Sequence, residues 1–347
     1  MGVVAHRTYH EAVRVMVIQH QERETERKTL AILKVLSESS DPLGSIAIAR
    51  QLEFYGVRLS ERTVRYHLRI ADERGFTRLV GRDGRVITPQ GLEELNSALA
   101  SEQLGFIIER LALLAFQTTF DPRRRCGQVG INTSLFPENR FKQALKAMRP
   151  AFSRGFHVSD KVGVAVAGEK LGDVVVPEGK IGLATVCSAT INGVLLKAGI
   201  PMDSKFGGIL EIRNFTARRF AAIINYAGTS IDPSAAYIKA KMTRVREAAT
   251  TGTGRILANF REVLAPAKPQ VESILAQLKA AGIGGVVQVG ETSEPICQIP
   301  VSPNKIGIIL LGGMNPVAAA EEAGIEVDNL CESGTVEFEN LVSFWDL

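Results

Sequence analysis

The chain has 347 residues, of which 45% are hydrophobic and 22% are charged, so it is long enough for two or three domains with buried cores. Its four cysteines contain no CxxC pair, which argues against both a zinc ribbon and a disulfide framework. No apolar run reaches the roughly 18 residues that a membrane span needs. We therefore expect a cytoplasmic protein without membrane partners.

The net charge of +4 at pH 7 is small, but the basic residues are unevenly distributed. Between Arg58 and Arg85, eight arginines outnumber four acidic residues. This short segment therefore carries as much positive charge as the whole chain. A local basic patch of this kind is typical of proteins that bind the phosphate backbone of a nucleic acid.

Three helices are predicted near the beginning of the chain, after an N-terminal extension over residues 1–25. Apolar residues at helical spacing indicate the first helix over residues 28–37. Ser45 caps a second helix, and Ser60 caps a third that ends at Gly75. Three short helices in succession are typical of a helix-turn-helix domain.

A β-hairpin is predicted directly after the third helix. Its strands, residues 76–80 and 85–88, flank an Asp-Gly turn signal. Three helices and a hairpin predict an α+β winged helix-turn-helix domain over residues 26–90. In that fold the third helix enters the major groove of DNA, and the hairpin contacts neighbouring phosphates or the minor groove.

The third helix has two different faces. At about 100° per residue, Arg65, Tyr66 and Arg69 share one face, while Val64 and Leu68 lie on the other. The predicted contacts to double-stranded operator DNA are Ser60, Arg62, Thr63, Arg65, Tyr66, Arg69, Arg82 and Arg85. The alternative interpretation is a solvated basic face. The arginine-tipped hairpin favours DNA, because arginine pairs bidentately with phosphate or guanine.

Residues 91–120 are predicted to form a connector helix. Its apolar positions at helical spacing include Leu95, Leu99, Phe106, Ile107, Leu111 and Leu114. This face needs a partner, either the following domain or the same helix of a second subunit. The second possibility predicts a homodimer, or a higher homo-oligomer, that places two recognition helices on a two-fold operator.

The remaining residues, 121–347, contain an internal repeat. Residues 180–203 align with residues 305–328 at a constant offset, and both copies begin with Lys-Ile-Gly and contain Ala-Gly-Ile near the end. Each copy predicts a strand, a turn and a helix, preceded by a further helix. The sequence therefore predicts an α/β regulatory domain with internal duplication, its repeats spanning about 139–214 and 264–340.

The turn between strand and helix in each repeat is a candidate anion site, because it presents backbone N–H groups at the positive end of a helix. The first turn adds the side chains of Cys187, Ser188 and Thr190, whereas the second is rich in glycine. A small acid bound at one turn needs a cation. The candidate cations are Lys180, Lys205, Arg213 and Lys305. The alternative interpretation is that both turns only connect strand to helix.

The sequence carries no recognisable enzyme motif: GxxxxGK[ST], HExxH and GxSxG are all absent. We therefore predict no catalytic residue, no metal site and no cofactor. Two other functions stay open. The first is an RNA-binding winged-helix regulator, which is disfavoured because Tyr66 is the only aromatic residue on the basic face. The second is a metabolic enzyme with an accessory DNA-binding domain.

The winged helix followed by residues 180–199 resembles the NrpR nitrogen-regulatory repressors of methanogenic archaea, above all in Thr-Val-Cys-Ser-Ala-Thr-Ile-Asn-Gly at 185–193. The resemblance spans roughly residue 28 to the C-terminus. It implies an oligomeric repressor that senses 2-oxoglutarate and then releases its operator. Many members carry two regulatory domains in tandem, whereas this chain carries one. The predicted effector contacts are Cys187, Ser188, Thr190, Asn192, Gly193 and Lys205.

Overall fold

In the computed structural model the chain divides into two compact units, residues 1–104 and 105–347. The structure describes residues 25–26, 28–39, 41–54, 57–102 and 107–347. Apart from Thr25, the predicted N-terminal extension lies outside these described residues. Within the described ranges, no helix is both long and apolar enough to cross a lipid bilayer.

The first unit contains four helices and a hairpin among its described residues. In chain order they are α1 (residues 28–37), α2 (Ser45–Phe54), α3 (Glu61–Glu73), β1 (Thr77–Val80), β2 (Gly84–Ile87) and α4 (Pro89–Glu102). Helix α3 begins where the sequence predicts, because the Ser60 hydroxyl accepts the backbone N–H of Thr63 at 3.2 Å. The apolar faces of α1, α2 and α3 form one core, composed of Ile32, Val35, Leu36, Ile48, Leu52, Val64 and Leu68.

The hairpin pairs β1 with β2 in antiparallel register, with Thr77 opposite Ile87. Leu43 adds a short bridge to it, because its backbone N–H and C=O each bond Arg85 at 3.0 Å. Glycine is required at position 84, where a Cβ atom would lie 2.3 Å from the carbonyl carbon of Leu43. The first unit therefore contains the three helices and the hairpin of the predicted α+β winged helix-turn-helix domain.

The apolar residues of the predicted connector helix are divided between two helices. Leu95 lies in α4 and packs in the first unit. Ile107, Leu111 and Leu114 lie in α5 (Ile107–Gln117) and pack against Tyr226 in the second unit. Phe106 and the side chain of Leu99 lie outside the described residues. Because the α/β unit covers the apolar face of α5, this face gives no support to the predicted homodimer.

The second unit continues with alternating strands and helices. Its first half contains β3 (Gln128–Pro137), α6 (Phe141–Ser153), β4 (Lys161–Ala165), β5 (Lys170–Leu171), β6 (Val174–Val175), β7 (Lys180–Val186), α7 (Ala189–Lys197), β8 (Asp203–Arg213) and β9 (Thr216–Asn225). Its second half contains α8 (Pro233–Lys239), α9 (Val245–Thr251), β10 (Gly254–Leu264), α10 (Lys268–Ala280), β11 (Val286–Val289), β12 (Lys305–Leu311), α11 (Asn315–Glu322), β13 (Asp328–Leu330), β14 (Thr335–Glu337) and β15 (Val342–Ser343).

These strands form two main antiparallel sheets that exchange strands. One sheet has the order β13-β3-β7-β4-β15, and the other has the order β11-β12-β10-β8-β9. Strand β8 belongs to the first repeat but pairs with β10 of the second, and β13 belongs to the second repeat but pairs with β3 of the first. Neither sheet is therefore complete without the other repeat.

The duplication is visible in equivalent strands and equivalent ion pairs. Lys180 and Lys305 begin β7 and β12, while Asp203 and Asp328 begin β8 and β13. The Lys180 ammonium lies 3.1 Å from Asp328, and the Lys305 ammonium lies 2.9 Å from Asp203. The two ion pairs are equivalent, and each joins one repeat to the other.

Each repeat also includes a strand upstream of its predicted boundary. Asn132 of β3 lies opposite Thr185 of β7, and Asn259 of β10 lies opposite Leu310 of β12. Because Thr185 and Leu310 are equivalent in the repeat alignment, β3 and β10 are equivalent too. The equivalence of β3 and β10 extends the internal duplication upstream of the predicted repeats, 139–214 and 264–340.

Candidate functional site

The exposed face of α3 carries the basic residues predicted from its periodicity. The buried residues of this helix are Val64, His67, Leu68 and Ala71. The opposite face exposes Arg62, Arg65, Tyr66 and Arg69, together with Glu73 near the C-terminal end of the helix. Arg65 pairs with Glu61, and Arg69 lies 3.7 Å from Glu73, yet both arginine side chains remain 68% exposed. Such exposed pairs contribute little to stability, so a phosphate competes for these arginines easily.

The two ends of the predicted contact surface have different roles in the structure. Ser60 and Thr63 share a hydrogen bond of 2.8 Å between their hydroxyl groups at the N-terminus of α3. Arg82 is exposed in the turn of the hairpin. Arg85 is only 25% exposed, and its Nε donates to Asp72 Oδ2 at 2.8 Å. The ion pair of Arg85 with Asp72 therefore holds the hairpin against α3, whereas the side chain of Arg82 is exposed to solvent, where DNA could contact it.

Acidification is expected to destabilise the winged-helix unit through His67. This imidazole is buried with its Nδ1 3.2 Å from Thr29 Oγ1, and burial lowers its pKa below the ordinary value of 6.5. The stability of the folded unit with a neutral His67 is therefore fully present above pH 6.5. It is lost as the pH falls below 6.5, because protonation of the imidazole then favours the unfolded state. Between about pH 7.5 and about pH 5.5, the melting temperature should fall further in the wild type than in His67→Leu. Equal losses in the two proteins would contradict this role.

In the second unit, the turn before α7 opens onto a buried polar group of residues that we call the Arg261 cluster. Its members are Ser188, Asn192, Ser204, Asn259 and Arg261, and each of them is buried. Arg261 donates to the Ser204 hydroxyl and, at 3.2 Å, to the Ser188 hydroxyl. The cluster joins the two repeats, because Ser188 precedes α7 of the first repeat and Arg261 lies in β10 of the second.

The two asparagines complete the hydrogen bonds within the Arg261 cluster. Asn259 Nδ2 donates to Ser188 Oγ at 3.0 Å, and Asn192 Nδ2 donates to Ser204 Oγ at 3.1 Å. Asn259 Oδ1 accepts the hydroxyl of Tyr226 at 2.6 Å. Two of the predicted effector contacts, Ser188 and Asn192, therefore lie together in one buried network.

Thr190 and Gly193, also predicted as effector contacts, pack against neighbouring elements. The Thr190 hydroxyl accepts the backbone N–H of Gly130 in β3 at 3.0 Å. At Gly193, a Cβ atom would lie 2.6 Å from the Ala115 carbonyl oxygen of α5. Gly193 is therefore the position at which α5 and α7 approach each other closely.

Cys187 lies in the same turn but carries an unreactive thiol. Burial and the nearby Glu332 raise the pKa of this thiol to about 12. The thiol is therefore protonated at neutral pH, and a protonated thiol is a poor nucleophile. Its sulfur accepts the backbone N–H of Ala189 at 3.5 Å, which helps to shape the turn.

Lys205 lies away from the Arg261 cluster. Neighbouring residues of a strand point to opposite faces of the sheet, and Ser204 points toward Arg261. The Lys205 ammonium instead lies 2.6 Å from Asp203 and 3.3 Å from Glu262. The other candidate cations are also paired with carboxylates, namely Lys180 with Asp328, Lys305 with Asp203 and Arg213 with Glu211.

The cation of the cluster, Arg261, is absent from the sequence-based predictions. Two features distinguish it. It is a charged residue at a fully buried position of β10, and the equivalent residue of β3 is Ser134, because Ser134 and Arg261 lie opposite the equivalent residues Leu183 and Ile308. Neither feature is visible until β3 and β10 are recognised as equivalent strands.

A second buried charge lies near the cluster at the end of the second repeat. The Glu332 carboxylate lies 3.5 Å from the guanidinium of Arg110, which also donates to the carbonyl oxygen of Cys331 at 2.5 Å. Burial and the nearby Asp232 raise the pKa of Glu332 well above its ordinary value, which favours the protonated form. Arg110 belongs to α5, so its contacts with Glu332 and Cys331 tie α5 to the segment after β13.

Comparison with known proteins gives two matches to family models. The model of NrpR regulatory domains NRD1 and 2 matches residues 104–343. The model of the ribonuclease R winged-helix domain matches residues 30–95. A nitrogen repressor-like protein from Methanococcus jannaschii has a similar crystal structure, with a TM-score of 0.58 and 26% identity. The match covers 69% of this chain and 98% of that one.

Three relatives are named global nitrogen regulators. NrpRI of Methanosarcina mazei is 40% identical over 91% of this chain and 97% of its own length. NrpR of Methanocaldococcus jannaschii is 33% identical over 91% of this chain, and NrpR of Methanococcus maripaludis is 32% identical over 86%. The matches cover 55% and 52% of those two proteins, so this chain spans about half of their length.

These relatives exclude one of the functions that the sequence leaves open. They are regulators, so this chain is a regulatory protein and not a metabolic enzyme with an accessory DNA-binding domain. The regulatory-domain match covers most of the chain, and the relative from Methanosarcina mazei aligns along almost its entire length. The chain therefore belongs to the NrpR family of global nitrogen regulators.

Proposed function

We propose that this chain is a transcriptional repressor that binds operator DNA with its first unit and releases it when 2-oxoglutarate binds to the second. The observation that carries the DNA-binding part is the exposed arginine face of α3. Arg65 and Arg69 lie on the helix that enters the major groove in winged helix-turn-helix proteins, and both side chains are 68% exposed. Arg82 extends the basic surface to the hairpin.

The chemistry of these arginines suits duplex DNA. Each guanidinium presents several N–H donors in one plane, which match phosphate oxygens or the O6 and N7 atoms of guanine. Neutralising phosphates also releases condensed counterions, so binding should weaken steeply as salt is added. Because the pairs with Glu61 and Glu73 are exposed, little stability is lost when DNA replaces them.

The effector part of the proposal is supported by the family and by the second unit. 2-Oxoglutarate is the keto acid that yields glutamate on amination, so its concentration reports nitrogen status. It is a dianion, and the Arg261 cluster supplies a buried cation beside the N-terminus of α7. For ligand binding to release DNA, the effector must bind more tightly to the conformation that has low DNA affinity. We infer a homodimer in which this conformation no longer matches a two-fold operator.

RNA is a second candidate ligand for the first unit. The observation that favours it is the match of residues 30–95 to the winged-helix domain of ribonuclease R. Single-stranded RNA is bound by stacking its bases on aromatic side chains. On the exposed face of α3 only Tyr66 offers such a surface, and Arg69 lies 5.8 Å from the centre of its ring. Duplex DNA is therefore the ligand that this face fits better.

The test of the proposed function is a selection of bound duplexes from a random pool by the full chain, followed by competition at fixed salt. The selected duplex should resist displacement by single-stranded RNA of equal length. It should be released by 2-oxoglutarate but not by succinate or glutamate. Preferential binding of RNA would overturn the DNA assignment, and DNA affinity that is unchanged by 2-oxoglutarate would overturn the effector assignment.

A further inference from the structure

Arg261 is a fully buried cation whose contacts include no carboxylate. Its exposure is 0%, and its hydrogen bonds run to two serine hydroxyls, while its Nε has no partner. This holds within the part of the chain that the structure describes. Taking a guanidinium out of water is costly unless an anion compensates its charge. The cluster therefore has a charge that its own residues leave unbalanced.

The two serine hydroxyls that contact Arg261 each have a proton available for a further hydrogen bond. Ser188 Oγ accepts hydrogen bonds from Asn259 and Arg261, and Ser204 Oγ accepts from Asn192 and Arg261. Each hydroxyl therefore has its lone pairs occupied and its proton without an acceptor among the described contacts. A guanidinium Nε and two hydroxyl protons are therefore donors without a partner, and the unpartnered acceptor among the described atoms of the cluster is Asn192 Oδ1.

The equivalent place in the other repeat is satisfied without a ligand. Ser134 replaces Arg261, Asn329 replaces Ser204, and Gly313 replaces Ser188. The Ser134 hydroxyl donates directly to Asn329 Oδ1 at 2.8 Å. At one of the two equivalent places, Ser134 and Asn329 are uncharged and paired with each other. At the other, Arg261 carries a charge and its Nε has no acceptor.

We propose that the Arg261 cluster binds a carboxylate group of the effector, with Arg261 as the cation and the hydroxyls of Ser188 and Ser204 as hydrogen-bond donors. This proposal rests on the proposed effector function and assigns its residues. A carboxylate offers about four lone-pair sites and accepts a guanidinium and hydroxyl donors at the same time. It therefore supplies the negative charge that the cluster lacks and acceptors for its unpartnered donors.

Glu332 does not compensate Arg261 in place of a ligand. Its carboxyl contacts Arg110, and burial together with Asp232 raises its pKa well above the ordinary range. Among the described residues, the ion-pair partner of Glu332 is Arg110, and no ion pair joins Arg261 to a carboxylate. The positive charge of Arg261 is therefore available to an anion that enters from solution.

Entry to the cluster requires a neighbouring element to move, because Arg261 has no solvent exposure. Helix α5 packs on Cys187 and Ala189, on either side of Ser188. Displacement of α5 therefore opens the turn that supplies one of the two hydroxyls. Residues 1–104, which include the winged helix, precede α5 in the chain. Carboxylate binding is thus linked by covalent continuity to the unit proposed to bind DNA.

The test is a calorimetric titration of the full chain with 2-oxoglutarate, compared among the wild type, Arg261→Met, Ser204→Ala and the matched control Ser134→Ala. Affinity should fall about 100-fold or more in Arg261→Met and about 10-fold in Ser204→Ala, because both changes remove hydrogen bonds to a charged group. Ser134→Ala removes a hydroxyl at the equivalent place in the other repeat. Its affinity should stay within about 3-fold of the wild type.

The stability of the ligand-free variants separates ligand binding from a purely structural role. Arg261→Met replaces an uncompensated buried charge with an apolar side chain, so it should not lower the melting temperature without ligand. A structural role for Arg261 instead predicts a large decrease. If Arg261→Met does not fold, 2-oxoglutarate affinity and ligand-free melting temperature are compared in Arg261→Lys and Ser204→Ala instead. Lysine keeps the positive charge but lacks the planar guanidinium with its several donors.

The outcomes distinguish the site from the identity of the effector. Equal 2-oxoglutarate affinity in all four proteins would overturn the site and leave the effector assignment intact. Succinate, oxaloacetate or citrate could raise the melting temperature of the wild type but not of Arg261→Met, while 2-oxoglutarate has no effect on either. That result would support the Arg261 cluster as a carboxylate site and overturn 2-oxoglutarate as the effector. The absence of stabilisation by any of these carboxylates would overturn the site itself.

Discussion

Replacing both Arg65 and Arg69 by alanine is expected to reduce the affinity of the full chain for its selected operator duplex by about 100-fold. The reason is that each guanidinium is exposed on the outer face of α3, where a phosphate or base contact contributes roughly 1–3 kcal/mol. The measurement is fluorescence anisotropy at fixed salt. Binding of 2-oxoglutarate to the second unit should be unchanged in the same variant.

The salt dependence of this variant reports which kind of contact is lost. Each phosphate contact that disappears should reduce the slope of log affinity against log salt by about 0.9. Loss of a base contact should lower affinity with little change in slope and should relax sequence preference. The matched control is Arg74→Ala, which removes an exposed positive charge at the C-terminal end of α3. Wild-type affinity in the double variant, or a large loss in Arg74→Ala, would contradict the assignment.

Much of the winged-helix unit is predictable because its signals are local. Ser60 caps α3 in the structure as its position before the helix predicts. Of the Asp-Gly pair, Asp83 lies in the turn of the hairpin and Gly84 begins β2. Arg85 shows the limit of such signals. Its contact with Asp72 joins a strand to the end of a helix, and nothing in the sequence spacing predicts which arginine is held there.

The buried cation of the second unit is unpredictable for a related reason. Ser204 and Arg261 are 57 residues apart in the chain and meet because β8 pairs with β10 of the other repeat. The repeat alignment reveals the duplication but not the exchange of strands between the sheets. If that exchange is not known, Lys205 is as plausible a contact for the effector as Ser204. In the structure, however, the two side chains lie on opposite faces of β8.

Gly193→Ala is expected to destabilise the second unit, although the same change inside an unhindered helix stabilises a protein by about 1 kcal/mol. Position 193 lies in the middle of α7, and a Cβ atom there would be 2.4 Å from Thr118 Cβ and 2.6 Å from the Ala115 carbonyl oxygen. The carbonyl belongs to the backbone of α5 and cannot rotate away. Overpacking of this kind costs about 3 kcal/mol, which exceeds the gain in helix propensity.

The expected net loss for Gly193→Ala is therefore about 2 kcal/mol, or a fall in melting temperature of roughly 5 °C, measured by calorimetry. The control is Gly284→Ala, where the new Cβ would meet its nearest atom at 3.9 Å and the melting temperature should change little. Because α5 also covers the turn that contains Ser188, a displaced α5 should expose the Arg261 cluster. An increase in stability in Gly193→Ala would show that α5 and α7 separate at little cost, and that the close approach is not what keeps the cluster buried.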